Sequence, residues 1–334
     1  SFLQFRYVFE DKVFKENLIP NYVKPIQKYE IENCDDLDKA IKDYIKNNVD
    51  DKTALMLSGG IDSAILASYI PKGTKAFTLK CIADEPTTDE TIRAKQIADI
   101  NGLDHEIVEI RWSDYEKYIP ILLEHKKAPF HSIEVQIYKA ALRAKELGYN
   151  KLLFGESADS IFGGLDGLLS KDWSFDEFVK RFNFTPTEKI LKKYKLILEP
   201  YKDCINEKGK IDAHKFISTK FFVESTNSYF NACNCAEIKF LSPYSNMKLI
   251  SPLDVERVRK GDSKYLVREL FKKIYFDLEI TKKTPMPRPM GLWLKSWKGP
   301  RRYEFIKNCQ QSLNGDQKWL VFILEKFLNY FNVE

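Results

Sequence analysis

The chain has 334 residues, 44% hydrophobic and 30% charged, which excludes a disordered chain or a disulfide-stapled miniprotein and leaves room for one large domain or two. Lysine and arginine (53) exceed aspartate and glutamate (48) by +5, too little and too evenly mixed to mark a nucleic-acid binder. No uncharged apolar run approaches the ~20 residues of a membrane span, and Arg6, Glu10, Asp11 and Lys12 interrupt the start of the chain before any signal-type apolar core forms, so a cytoplasmic location is expected.

From Lys52 short apolar strands alternate with helical segments, the pattern of a parallel sheet covered on both faces. Thr53 to Leu57 is the first strand. It runs into Ser58-Gly59-Gly60-Ile61-Asp62-Ser63 and a helix from about Asp62 to Tyr69, stopped by the turn at Pro71 and Gly73. The second strand is Lys75 to Cys81. Thr87 and Glu90 are placed as a capping-box pair for a helix over Asp89 to Asn101 with Gly102 just past its end, and His105 to Trp112 is the third strand. Ser113 and Glu116 are placed as the cap of the next helix. Ser132 to Leu147 puts Ile133, Ile137, Ala140, Ala141, Ala144 and Leu147 on one helical face, with Gly148 as the stop. Lys151 to Gly155 is the fourth strand. Residues 165 to about 230 carry no strand signal and are expected to form a helical insertion. The proline-rich run Thr284 to Met290 excludes regular helix or sheet interior.

The sharpest feature is Leu57-Ser58-Gly59-Gly60-Ile61-Asp62-Ser63, lying between a buried strand and the start of a helix. Two glycines let backbone N–H groups close on an anion, the helix N-terminus favours negative charge, and the serine hydroxyls can donate further bonds. The G-x-x-x-x-G-K-[ST] spacing is absent, and an aspartate inside an anion cradle makes sense chiefly as a magnesium ligand. This loop resembles the S-G-G-x-D-S loop of the N-type ATP pyrophosphatases. In that superfamily it grips the β and γ phosphates and leaves the α phosphorus open to an oxygen nucleophile.

A second glycine motif, Gly155-Glu156-Ser157-Ala158-Asp159-Ser160-Ile161-Phe162-Gly163-Gly164, also follows a strand. Gly155 permits a close approach, Asp159 can share a magnesium ion with Asp62, and Glu156 is placed to handle an amine's proton. The stretch resembles G-E-G-x-D-E-x-F-G-G of the asparagine synthetase family, whereas NAD synthetases share the first loop without the second. Lys264-Tyr265-Leu266-Val267-Arg268 is similar to the family's K-x-x-L-R helix, and Lys283 falls where the family places a lysine that stabilises charge during adenylation. Phe5-Arg6-Tyr7-Val8 and the stretch Phe14 to Pro20 resemble the tail of the glutaminase domain that precedes the synthetase domain. The rest of that domain, with its cysteine nucleophile, is not in this sequence.

The resemblance implies a doubly wound α/β domain over residues 51–334 with the helical insertion at about 165–230, preceded by a glutaminase-tail segment over 1–50. It implies an ATP- and Mg2+-dependent ligase that adenylates a carboxylate and passes the acyl group to ammonia or another amine, with no nucleic acid or membrane involved. Leu57, Leu79 and Gly155 would place adenosine, Ser58, Gly59, Gly60 and Ser63 the phosphates, Asp62 and Asp159 the metal, with Glu156 and Lys283 assisting chemistry. A separate glutaminase subunit and a homodimer are compatible with it. Glu237 to Tyr244 only echoes the family's E-A-R-V-P-F-L-D stretch, so different residues read the acid. Ring-closing relatives carry tyrosine in place of Glu156, so glutamate favours an external amine.

Two other readings stay open at this point. A sulfurtransferase sharing the first loop would need a reactive cysteine, for which Cys81 and Cys235 are the candidates, and an inactive subunit would keep the fold without turnover. The bland readings are a core residue for Cys81, a backbone-bonded loop histidine for His131, and packing for Trp293 and Trp297. Cys233-Asn234-Cys235 has no second pair to make a zinc site. Arg288 is placed to reach an anionic substrate.

Overall fold

The computed structural model describes residues 1–9, 12–24, 26–280 and 286–333. Tyr29–Ile31 (β1) leads into Cys34–Asn48 (α1), whose cap is reciprocal: Asn33 Oδ1 accepts from the backbone N–H groups of Asp35 and Asp36, and Asp36 returns a bond to Asn33 N–H. Thr53–Met56 (β2) is buried at every residue, as a central parallel strand must be. Then come Ile61–Tyr69 (α2), Lys75–Cys81 (β3), Thr91–Asn101 (α3), Asp104–Ile110 (β4), Trp112–Lys126 (α4), Ile133–Glu146 (α5), Lys151–Leu153 (β5) and Ala158–Phe162 (α6).

Phe175–Phe182 (α7) and Phe222–Cys235 (α8) follow. Lys239–Leu241 (β6), Met247–Leu249 (β7), Tyr265–Ile274 (α9) and Gly315–Tyr330 (α10) complete the frame. The main sheet has the order β4-β3-β2-β5-β6, every neighbour pair parallel, with helices on both faces. The expected doubly wound α/β architecture is therefore what the chain adopts. One buried apolar cluster under α1, α2, α3 and α9 covers one face, and a second under α4, α5 and α10 covers the other.

The sheet order decides where a ligand can sit. From β2 the chain winds outward through β3 and β4, while β5 and β6 lie on the opposite side. Such a reversal opens a crevice at the carboxyl ends of the two central strands. Both glycine motifs leave from those ends.

Several local expectations are corrected. Thr87 does not cap α3: its hydroxyl donates to Cys81 O (3.1 Å), and Asp89 Oδ1 instead accepts from the Thr91 N–H (2.9 Å) and hydroxyl (2.6 Å). Helix α4 starts at Trp112, with Asp114 Oδ2 accepting from Arg111 N–H (2.7 Å), so Ser113 and Glu116 lie inside the helix and Trp112 belongs to it rather than to β4. Leu147 is 41% exposed and falls outside the α5 apolar face, although Gly148 does stop the helix with φ +85°. Strands β1, β6 and β7 were not anticipated, because three residues each show no periodicity. Between residues 165 and 230 no strand forms among the described residues. Aromatic side chains of that region pack around Phe5 of the N-terminal segment, with Phe182, Tyr201 and Phe216 in the cluster. Of the proline run, Thr284 and Pro285 lie outside the described residues, residues 286–289 are irregular, and Met290–Trp293 makes one helical turn.

Candidate active site

The first loop is closed by its own serines. Ser63 Oγ accepts from Ser58 N–H (3.0 Å), lies 3.0 Å from Ser58 Oγ, and Ser58 Oγ accepts from Gly60 N–H (3.2 Å). Ser63 is buried, so its hydroxyl shapes the loop from behind while the half-buried Ser58, Gly59 and Gly60 face the crevice. Gly60 is the N-cap of α2 and offers no side-chain acceptor, which leaves the first-turn N–H groups to an incoming anion. From behind, Tyr244 donates its hydroxyl to Asp62 O (3.1 Å) and Tyr275 to Ala64 O (2.7 Å).

Gly155 follows β5 and presses against this loop. A Cβ there would meet Ser63 N at 2.9 Å, Asp62 C at 3.0 Å and Asp62 Cβ at 3.1 Å, so the close approach that demands glycine is between the two motifs themselves. Ser157 next to it has φ +75°, a left-handed conformation that the glycine of the G-E-G pattern would adopt without strain.

That contact brings the two carboxylates to one point. Lys264 Nζ donates to Asp62 Oδ1 (2.9 Å) and Oδ2 (2.7 Å) and lies 3.1 Å from Asp159 Oδ1. Lys264 is itself buried, and the two acids hold its ammonium charged far more firmly than that of a solvated lysine, against the penalty of burial. Sequence reasoning matched Lys264 to a helix motif but did not foresee this ion triad, and no spacing rule could have shown it.

The crevice is a cavity of about 390 Å³, within the range of small-molecule sites. Leu57, Ser58, Gly59, Gly60, Asp62 and Ser63 line one side. Leu79, Gly155, Glu156 and Asp159 line it as well, so ten of the eleven sequence-selected residues share one cavity. The eleventh, Lys283, lies outside the described residues. At the rim, Leu57 N–H donates to Phe77 O (2.8 Å), after which β2 has ended while β3 continues. Alternation along β3 then turns the Leu79 N–H and C=O to that vacated side, a donor and acceptor pair suited to a heterocycle edge. Thr78 donates to Leu57 O (2.7 Å) and is met by His105 Nε2 (2.7 Å); burial lowers the His105 pKa, so the neutral ring's Nε2–H donates to the threonine oxygen.

Glu156 lines the same cavity. The Ser225 hydroxyl donates to its Oε1, and the Tyr229 hydroxyl also faces its carboxylate. Burial, with the nearby Asp159 charge adding to it, pushes this carboxyl up to about 7, although those hydroxyls and the Ser157 N–H pull the other way. A carboxyl poised near neutrality can take and return a proton.

The remaining candidates go elsewhere. Cys81 is buried, donates to Pro287 O (3.1 Å), and burial pushes its thiol up to about 12. Burial likewise pushes the Cys235 thiol up to about 11. His131 is backbone-bonded: its Nδ1 accepts from Ile133 N–H (3.3 Å), and burial drives its pKa well below the usual range. Arg288 does not reach into the cavity; its Nε pairs with Asp316 Oδ1 (2.9 Å) and ties the proline loop to α10. Trp293 packs against Tyr115 and Trp297 against Phe322. Thr78, Arg93, Tyr229 and Arg268 line the cavity without having been singled out for it from the sequence.

The family model described as asparagine synthase matches residues 35–224, more than half of the chain and both glycine motifs. The chain belongs to the asparagine synthase family. Among solved structures it is similar to an NH3-dependent NAD synthetase from Campylobacter jejuni at 18% identity, over 39% of this chain and 58% of that one, with a TM-score of 0.25. A U34-tRNA thiolase, NcsA, from Methanococcus maripaludis gives 12% identity over 88% and 78% with a TM-score of 0.32. An NMN synthetase from Francisella tularensis gives 14% over 75% and 97% with a TM-score of 0.27. The chain thus spans under two thirds of the NAD synthetase, and no curated protein matches it.

Proposed function

We propose that the protein is an ATP-dependent carbon–nitrogen ligase that adenylates a carboxylic acid and transfers the acyl group to ammonia or another amine. The observation that carries this reading is the convergence of Asp62 and Asp159 on one cation point, in a cavity that also holds a near-neutral Glu156 and the N-terminus of α2. Membership of the asparagine synthase family supports it. Adenine sits between Leu57, Leu79 and Gly155, and the Ser58–Gly60 turn receives the phosphates. A carboxylate oxygen attacks the α phosphorus as the bond to the bridging oxygen breaks, the electron pair leaving with pyrophosphate, and the amine then displaces AMP from the acyl carbon. Holding the reactants in line and donating to the developing charge supply most of the acceleration in such a reaction.

Magnesium fits the donor set. Asp62 and Asp159 already meet a shared cation and would hold the ion, and since among the described residues no group of three or more His, Cys, Asp or Glu could hold a metal, nucleotide phosphates would have to supply further oxygens. When bound, the ion neutralises charge on the phosphates. Glu156 takes the proton that the amine loses on attack, and Lys283 adds positive charge at the α phosphate.

In this reading residues 51–334 form the ligase domain with its insertion at about 165–230, and residues 1–50 are the tail of a glutaminase-type domain. Ammonia arrives free or from a separate glutaminase subunit, and the protein acts in the cytoplasm, as a monomer or homodimer. Raised thiol pKa values at Cys81 and Cys235 count against sulfur transfer. ATP–pyrophosphate exchange with magnesium and a panel of carboxylic acids, without any amine, tests the proposal. Exchange dependent on one acid supports it; no exchange with any acid, even when ammonia and a glutaminase are present, overturns it.

A further inference from the structure

Three cationic side chains line the cavity among the described residues: Arg93, Lys264 and Arg268. Two are already engaged. Lys264 is held by both carboxylates, and Arg93 donates to Glu279 O (2.6 Å) and Gln96 Oε1 (2.7 Å). Among the described residues Arg268 has neither a carboxylate nor a carbonyl against its guanidinium, and its Nε is buried without a hydrogen-bond partner.

A half-buried arginine whose Nε is shut away without an acceptor is costly, and the arrangement persists where a ligand completes it. Arg268 stands one turn beyond Lys264, with its N–H bonded to Lys264 O (2.8 Å), so the two side chains share one face of α9, and both line the cavity that Gly59 and Gly60 also line. Its planar fork matches two oxygens of a phosphate in a way an ammonium does not.

We propose that Arg268 is the receptor for the terminal phosphates of the nucleotide and holds the pyrophosphate after it leaves. The inference rests on the adenylation reading. When the α-phosphorus bond to the bridging oxygen breaks, its electron pair and the extra negative charge stay on pyrophosphate. Arg268 meets that charge, whereas Lys264 is already committed to Asp62 and Asp159.

The test is binding of inorganic pyrophosphate, with magnesium present, measured by calorimetry on the full chain, with adenosine as a phosphate-free control. Arg268→Gln should weaken pyrophosphate at least tenfold and leave adenosine unchanged, and Arg268→Lys, which keeps the charge but not the fork, should recover part of the loss. Wild-type affinity for pyrophosphate in a folded Arg268→Gln overturns the inference, as does equal loss of adenosine, which would mean a collapsed cavity. Wild-type protein that binds neither ATP nor pyrophosphate overturns the nucleotide reading beneath it. Binding of both, with an unaltered variant, overturns this inference alone.

Discussion

Lys264 bridges Asp62 and Asp159, its Nζ 2.7 Å from an Asp62 oxygen and 3.1 Å from an Asp159 oxygen. The two acids come from loops after different strands and the lysine from the start of α9, so the site depends on β2 and β5 being neighbours. A lysine that neutralises two acids keeps them close when no nucleotide is present, and it leaves their oxygens clustered for a stronger cation.

The first prediction concerns those acids. Asp62→Asn and Asp159→Asn keep shape and remove one charge each, so pyrophosphate exchange should fall on the order of 10³-fold in either variant, the scale of several kcal/mol supplied by a metal at a phosphoryl group. Circular dichroism should be unchanged. Exchange within threefold of the wild type in either variant sinks the metal assignment.

Gly155→Ala tests the contact between the motifs. Its new Cβ would lie about 3 Å from backbone atoms of Asp62 and Ser63, which cannot rotate away, so the β5 end must retreat from α2. A cost of about 1–3 kcal/mol is expected in urea unfolding, typical of overpacking, together with loss of exchange because Asp62 moves relative to Asp159. A variant of unchanged stability would show that the two loops are not pressed together.

Much of this was readable from the chain because it is local. Ser58 to Ser63 and Gly155 to Gly164 each encode a strand end, a turn and a helix start within a few residues, and β2 and β3 announce themselves by short, mostly apolar runs. Strand β6 did not, because Lys239–Leu241 is three residues long and begins only a short turn after a helix. The helix caps were misplaced by one or two residues since several Asp, Ser and Thr compete locally and packing chooses among them: Asp89 over Thr87, and Asp114 over Ser113. The Lys264 triad and, among the described residues, the unpartnered Nε of Arg268 were out of reach, because partners 202 residues apart leave no periodic trace.

Cysteine chemistry gives a third prediction. Cys81 donates a single bond to Pro287 O, which Gln136 also meets through Nε2 (3.0 Å), and a serine hydroxyl can replace the thiol as donor. Cys81→Ser should therefore keep pyrophosphate exchange within about threefold, and Cys235→Ser likewise. An essential thiol at either position would revive sulfur transfer.

Glu156 sets the fourth. Because burial raises its carboxyl to about 7, the group is mostly protonated below neutrality and cannot accept a proton there. Amide formation, measured at constant free ammonia and saturating acid and ATP, should rise about tenfold per pH unit up to about pH 7 and level off above it. Pyrophosphate exchange does not use this proton and should show no such limb. Glu156→Gln should remove the pH dependence along with most of the amide formation, on the order of 10²-fold or more, while exchange persists. A Gln variant that forms amide at the wild-type rate, or a wild-type limb equally present in both reactions, would remove Glu156 from the proton-handling role and assign the titration to another group.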